Sequence, residues 1–216
     1  MYDTMLSYVK NYLKNNNGEE SSIGSFPFRK RSDHIERVYM WADRLIESEL
    51  HIDKDAILTS AIFHDVGYAL SSDNSNHALH SAVICEKYLN ENGYDKEFIN
   101  FVTYLVRNHS NKKLMTIKDT PLELIILMEA DILDETGAMS VVWDCMMEGS
   151  QEIQTFHKTF NHILNYSYKY LNANPMVTDK AKNYWREKQN LMKEFIKQLS
   201  FDLGIDNGCF YVEELK

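Results

Sequence analysis

In the stretch Ala61-Ile62-Phe63-His64-Asp65-Val66-Gly67, an apolar run meets an adjacent histidine and aspartate, and a glycine follows two residues later. Leu58, Ala61 and Ile62 share the core-facing stripe of a helix, which puts the His-Asp pair on the last turn of a buried helix. Gly67 is expected to stop that helix as a left-handed C-cap. An imidazole and a carboxylate so close to a core need a partner, because an unpaired buried charge is costly. A metal ion is one solution: it takes the lone pair of a neutral imidazole and neutralises the carboxylate. The plainer solution is a hydrogen bond from His64 to Asp65 or to a backbone carbonyl, with the pair merely finishing the helix. The dipeptide alone leaves both open.

Outward from this stretch the chain reads as all-α. Three prolines and eight glycines in 216 residues leave little room for β turns, and segments of helical period fill the sequence instead. The length suits one domain with a sizeable core. No apolar run approaches the roughly 20 residues that span a bilayer, so no membrane partner is expected. The N-terminus lacks a basic and an apolar region of secretory type. Cys85, Cys145 and Cys209 form neither a disulfide framework nor a CxxC site. A reducing cytoplasm fits these features. The net charge of −9 argues against a broad surface for extended nucleic acid. Arg29-Lys30-Arg31 is the exception, readable as a solvated loop or as a phosphate contact beside His34.

In chain order, residues 2–15 carry Met5, Leu6, Val9 and Leu13 at helical spacing, and a polar loop follows to residue 25. After Phe26-Pro27-Phe28, Asp33 with Glu36 resembles a capping box, placing His34 in the first turn of a helix through Ile35, Val38, Ala42 and Leu45. Asp53 or Asp55 starts the helix that ends at His64-Asp65. His77 opens a helix that stops at Gly93, and Asp95 starts one that ends near His109. Thr120-Pro121-Leu122-Glu123 is a helix start, and the apolar run behind it carries Asp131, with Asp134 and Glu135 beyond. A short helix reaches Glu148, a long one spans about 151–171, and Thr178 caps the last, with Trp185, Leu191, Phe195 and Leu199 as its stripe. The final dozen residues have weak signals. Met128, Met139, Met146 and Met147 read as packing residues.

Four residues stand out: His34, His64, Asp65 and Asp131. Apart from the adjacent pair, each lies on or beside the apolar face of a different helix. Two imidazoles and two carboxylates without a thiolate suit a divalent ion with positions open to water and substrate. The candidates are Mn, Ni, Co, Fe, Mg and Zn.

This H…HD…D pattern on an all-α chain resembles the HD-domain family of metal-dependent phosphohydrolases. His34-Ile35-Glu36-Arg37-Val38 resembles the family's H-x-x-R-V, and Ala61–Gly67 resembles its apolar run into HD. His77-x-x-x-Ser81-Ala82 and Asn108-His109-Ser110 resemble two later histidine positions. Glu129-Ala130-Asp131-Ile132-Leu133-Asp134 resembles the D-A-D-x-L-D of a single-domain bacterial branch whose C-terminal helices also look like those here. Glu129 replaces the first Asp of that motif and Ile132 a basic residue. The resemblance implies one HD domain over 1–216, with a core of about 26–140 and C-terminal helices of about 151–202 packed on it.

It also implies an enzyme for a small phosphate substrate, in several relatives a nucleotide, with cleavage of a nucleoside triphosphate to monophosphate and pyrophosphate as one known reaction. A homodimer is compatible with the chain. One divalent metal ion would be held by His34, His64, Asp65 and Asp131. Asp65, His77 and His109 are the catalytic candidates: Asp65 to ligate the ion and orient a water, the two histidines to stabilise phosphate charge or protonate the leaving group. His80 competes with His77 from one turn on. Lys112 and Lys113 read equally as a solvated loop or as phosphate contacts, and Arg37 is expected to pair with a site carboxylate or a backbone carbonyl. Two other functions remain in play. A dinuclear HD protein (a phosphodiesterase or a di-iron oxygenase) would use the four histidines for two ions, and a metal or nucleotide sensor would bind without turnover.

Overall fold

The structure, a computed structural model, describes residues 1–18, 29–47, 49, 51–70 and 76–205. Phe26-Pro27-Phe28, most of the two polar loops at 15–25 and 71–76, Cys209 and all but the start of the C-terminal dozen lie outside the described residues. Nine α-helices and no strands occur among those described: α1 Tyr2–Asn15, α2 Arg31–Ile46, α3 Lys54–Phe63, α4 His77–Glu91, α5 Lys96–Asn108, α6 Leu122–Asp134, α7 Ala138–Gly149, α8 Phe156–Ile163 and α9 Asp179–Asp202. None is long and apolar enough to cross a membrane. The helices fall into two compact units, Met1–Asp134 and Glu135–Lys216.

In the first unit α3 is the axle. Every residue from Ala56 to Phe63 is buried, as expected of a helix apolar all round, and α1, α2, α4, α5 and α6 all pack against it. Asp53 caps its start by accepting from Ala56 N–H at 2.9 Å, and Glu123 at the start of α6 accepts from the Asp53 N–H at 3.0 Å. Glu123 thus ties two helix starts together rather than completing a capping box. Thr120 does not cap α6 either, because its hydroxyl donates to the Leu114 carbonyl at 2.8 Å. The α2 start differs from expectation in the same way. The helix begins at Arg31 with no side-chain cap, so Asp33 sits inside the first turn, where a carboxylate suits the helix dipole. Asp95 caps α5 through Phe98 N–H as expected.

Gly67 departs from the expected left-handed cap, for the positive-φ glycines are Gly93, Gly137 and Gly204. It lies in a short 3-10 turn, Val66–Ala69, pressed against α4. A Cβ there would stand 2.1 Å from the His77 carbonyl oxygen and 2.5 Å from the Ser81 nitrogen, and the Gly67 N–H donates to Ser81 Oγ at 2.8 Å. Closeness of two backbones, not backbone handedness, demands the glycine.

In the second unit Phe160, Ile163, Leu171, Trp185, Met192 and Ile196 are buried. On α9 the stripe runs through Trp185, Met192 and Ile196, and Leu191 is exposed, a one-residue shift along the helix. The helix expected over 151–171 is shorter, starting at Phe156 and passing into a π-helical turn, Leu164–Tyr168. Helix α7 is inverted: it buries Ser140, Asp144 and Glu148 and exposes Met139 and Met146, which are therefore not core. Its buried carboxylates face basic side chains: His162 lies 3.4 Å from Asp144 and 3.2 Å from Glu148, and Lys158 lies 3.1 Å from Glu148. Charge pairing orients α7, and apolar periodicity does not.

Gly67→Ala is expected to lower unfolding free energy by about 3 kcal/mol, the upper range for overpacking, because backbone cannot move aside as a side chain can. Gly93→Ala, at φ +76° with nothing within 4 Å of its Cβ position, should cost about 1 kcal/mol, the left-handed penalty alone. Urea denaturation of both variants checks the order; Gly93→Ala proving the worse would contradict this account of Gly67.

Candidate metal centre

Helix ends build the site. His64 follows the last residue of α3, and its Nδ1 lies 2.8 Å from the Ala61 carbonyl oxygen. A carbonyl has no proton to give, so Nδ1–H donates and Nε2 keeps its lone pair. His109 repeats the arrangement at the end of α5, with Nδ1 2.7 Å from the Val106 carbonyl. The plainer sequence reading of His64 therefore describes one nitrogen of the ring and leaves the other free for the centre.

His34 is fixed differently. Its Nδ1 lies 2.8 Å from Asp134 Oδ2, and Arg37 grips that carboxylate through Nε at 2.7 Å and a second nitrogen at 3.0 Å. The guanidinium keeps Asp134 ionised, Asp134 fixes the His34 tautomer, and His34 Nε2 faces His64 Nε2 at 3.2 Å. Asp65 Oδ2 stands 3.6 Å from each of these nitrogens, and Asp131 Oδ1 stands 3.4 and 3.9 Å from them. Four donor atoms from α2, the α3 end and α6 thus surround one point.

Two imidazole lone pairs cannot face each other this closely without a cation between them. Burial keeps His64 neutral, its pKa lowered to about 4. Burial would lower His34 too, but hydrogen bonds to Asp131 and Asp134 outweigh it and raise His34 to about 10. In the bare chain a proton on His34 therefore fills the gap. A divalent ion would satisfy both nitrogens and both carboxylates at once, and the residues fit such an ion in donor type, spacing and tautomer. His34, His64 and Asp131 form one group able to hold an ion, and His64, Asp65 and His109 another.

The second side of the site belongs to Asp65 Oδ1, which lies 3.5 Å from His77 Nε2 and 3.4 Å from His109 Nε2. Those two nitrogens are 3.3 Å apart. His77, the first residue of α4, is thus the histidine that reaches the centre, and the buried Nδ1 of His80, one turn on, has no hydrogen-bond partner among the described residues. Glu129, two residues before Asp131 on α6, is fully buried.

Two participants escaped the sequence reading or were only half seen. Asp134 was noted beyond Asp131 without a role, although three residues' spacing puts both on one face of α6, matching Arg37 three residues after His34. Tyr68 gave no signal; its ring stacks on His77 with centroids 4.7 Å apart and planes 14° apart.

Comparison with known proteins agrees with this geometry. The model of the HD domain matches residues 31–136, the span that holds His34, His64, Asp65, His77, His109 and Asp131. The fold is shared with the crystal structure of an HD-superfamily hydrolase from Bacillus thuringiensis, at TM-score 0.69, 20% identity and coverage of 95% of this chain and 97% of that one. A predicted HD-superfamily hydrolase from an uncultured Thermotogales bacterium matches at TM-score 0.65 and 19% identity, over 94% and 92%. Bacillus subtilis YpgQ, crystallised in complex with ADP, matches at TM-score 0.64 and 20% identity, over 93% and 94%. No curated protein matches the sequence. The all-α fold and the matched segment define the class: residues 31–136 form an HD domain.

Asp134→Asn, which removes the carboxylate that orients His34, is expected to weaken divalent-ion binding about 10-fold to 100-fold while far-UV circular dichroism stays helical. Calorimetric titration with Mn²⁺ reads it. Unchanged affinity would show that the Arg37–Asp134–His34 chain does not support the centre.

Proposed function

We infer that this HD-domain hydrolase cleaves a phosphate ester or anhydride of a nucleotide, with one divalent ion held by His34, His64, Asp65 and Asp131. The observation that carries the reading is the facing pair of imidazole nitrogens, 3.2 Å apart, with one oxygen of each of two carboxylates beside them. Such a set leaves positions for water and substrate. When bound, the ion supplies Lewis acidity toward a phosphoryl oxygen and toward water. Among nucleotides, the likeness to YpgQ, crystallised with ADP, supports a polyphosphate substrate, and cleavage of a triphosphate to monophosphate and pyrophosphate is the reaction favoured by the resemblance around Asp131.

The chain's own groups do the rest. Asp65 uses one oxygen at the ion and holds His77 and His109 with the other. His109 has its Nδ1 proton committed to Val106, so Nε2 is the nitrogen that takes or gives a proton. His77 Nε2, 3.3 Å away, shares that proton, and the pair can take it from water or deliver it to a leaving oxygen. Such transfer is worth about a hundredfold or more.

Assays with Mn²⁺, Ni²⁺, Co²⁺ and Mg²⁺ against a nucleotide panel, with products identified, are expected to show hydrolysis that a chelator abolishes. Asp65→Ala should lower turnover by more than about a hundredfold, beyond the effect of losing a group that only orients a ligand. Turnover indifferent to chelation or to Asp65→Ala contradicts the reading.

One observation favours a second reading. Asp65 turns Oδ2 to His34 and His64 and Oδ1 to His77 and His109, the posture of a carboxylate shared by two ions. Elemental analysis separates the cases: one ion per chain in both wild type and His109→Ala supports the mononuclear hydrolase, and two falling to one supports a dinuclear centre.

A further inference from the structure

Two cations reach the centre from outside its donor set. Lys112, in the 3-10 turn Lys112–Thr116 after α5, places Nζ 2.6 Å from Asp131 Oδ2, the oxygen turned away from the imidazoles. Arg31, the first residue of α2, places Nη1 2.7 Å from Asp65 Oδ2. Its guanidinium lies 4.0 Å over the Tyr68 ring, and Tyr68 in turn stacks on His77. The stack fixes the guanidinium beside the histidines. Lys112 lies at the solvent side and Arg31 deeper: their side chains are 34% and 14% exposed, against none for His64.

Charge decides what these cations are for. Arg37 already neutralises Asp134. A divalent ion would be neutralised by Asp65 and Asp131 alone, with His64 neutral. Arg31 and Lys112 would then place two positive charges beside the loaded ion, at its edge. Cations so placed in a part-buried pocket attract anions, and a phosphoryl group offers oxygens to both. An ammonium has three donors and a guanidinium five, so each can keep its carboxylate and still donate to a phosphoryl oxygen.

We propose that Arg31 and Lys112 form a two-cation clamp for the phosphoryl group of the substrate, at the edge of the centre. This rests on the hydrolase reading above. It assigns substrate positioning to two residues that the metal itself does not need, and it makes a phosphate dianion or pyrophosphate the preferred ligand over a neutral ester.

Calorimetric titration of inorganic pyrophosphate into Mn²⁺-loaded protein tests the clamp, with the metal content of every sample measured in parallel. Lys112→Met is expected to retain its ion and to bind pyrophosphate at least about 10-fold more weakly, the cost of one charged hydrogen bond. Lys112→Arg should recover most of that loss. Arg31→Met should weaken binding likewise, giving a second and independent reading of the same clamp. Pyrophosphate affinity at the wild-type level in metal-loaded Lys112→Met overturns the proposal. Loss of the ion together with the ligand overturns it too, since Lys112 would then be only a support for Asp131. Wild-type protein that takes up no ion contradicts the hydrolase reading itself, a result distinct from either.

Discussion

Two imidazole nitrogens aimed at one another across 3.2 Å, each with its proton committed to the far side of its ring, are the constraint on which the first unit depends. They require a cation between them, and nearly every unusual feature nearby serves to keep them there. The wholly buried α3 supplies a rigid rod whose last carbonyls orient His64. The Arg37–Asp134 pair reaches back from α6 to α2 and orients His34. Gly67 lets the turn after Asp65 press onto α4, which sets His77 at the same centre. Removing the water from these groups makes the arrangement costly unless a cation is bound, and strong when it is.

Asp65 couples the two halves of that arrangement. One of its oxygens faces the His34–His64 pair and the other faces the His77–His109 pair, so a single side chain defines both the place of an ion and the place of proton transfer. The carboxyl is held well below the usual range. Burial alone would raise it, but the adjacent His64 imidazole, the Arg31 guanidinium and a hydrogen bond to His109 prevail. A carboxylate kept ionised in this way is suited to ligate a cation. On the Oδ1 side, His77 and His109 present Nε2 to the carboxylate at 3.5 and 3.4 Å.

Much of this was readable in the residues. Helical period located most of the helices among the described residues, and His34, His64, Asp65 and Asp131 stood out because each interrupts or flanks an apolar stripe that has no other use for a polar side chain. What escaped had a common physical cause. The caps expected of Asp33 and Thr120 fit local rules, but α2 starts two residues before Asp33 and the Leu114 carbonyl takes the Thr120 hydroxyl. Gly67 was read by backbone conformation when close approach of two chains was the reason. Helix α7 was misread because its buried face is polar: Asp144 and Glu148 point inward to His162 and Lys158, and no periodicity of apolar residues reports a charge network formed across helices. Tyr68 is the clearest case, since stacking on His77 leaves no trace in sequence.

Anomalous diffraction from crystals grown with Mn²⁺ tests the central claim most directly. The account predicts a peak within about 2.0–2.6 Å of His34 Nε2, His64 Nε2, an Asp65 oxygen and Asp131 Oδ1 together, with helix positions unchanged. A peak bound elsewhere, or full Mn²⁺ loading in solution with no peak between His34 and His64, would contradict it.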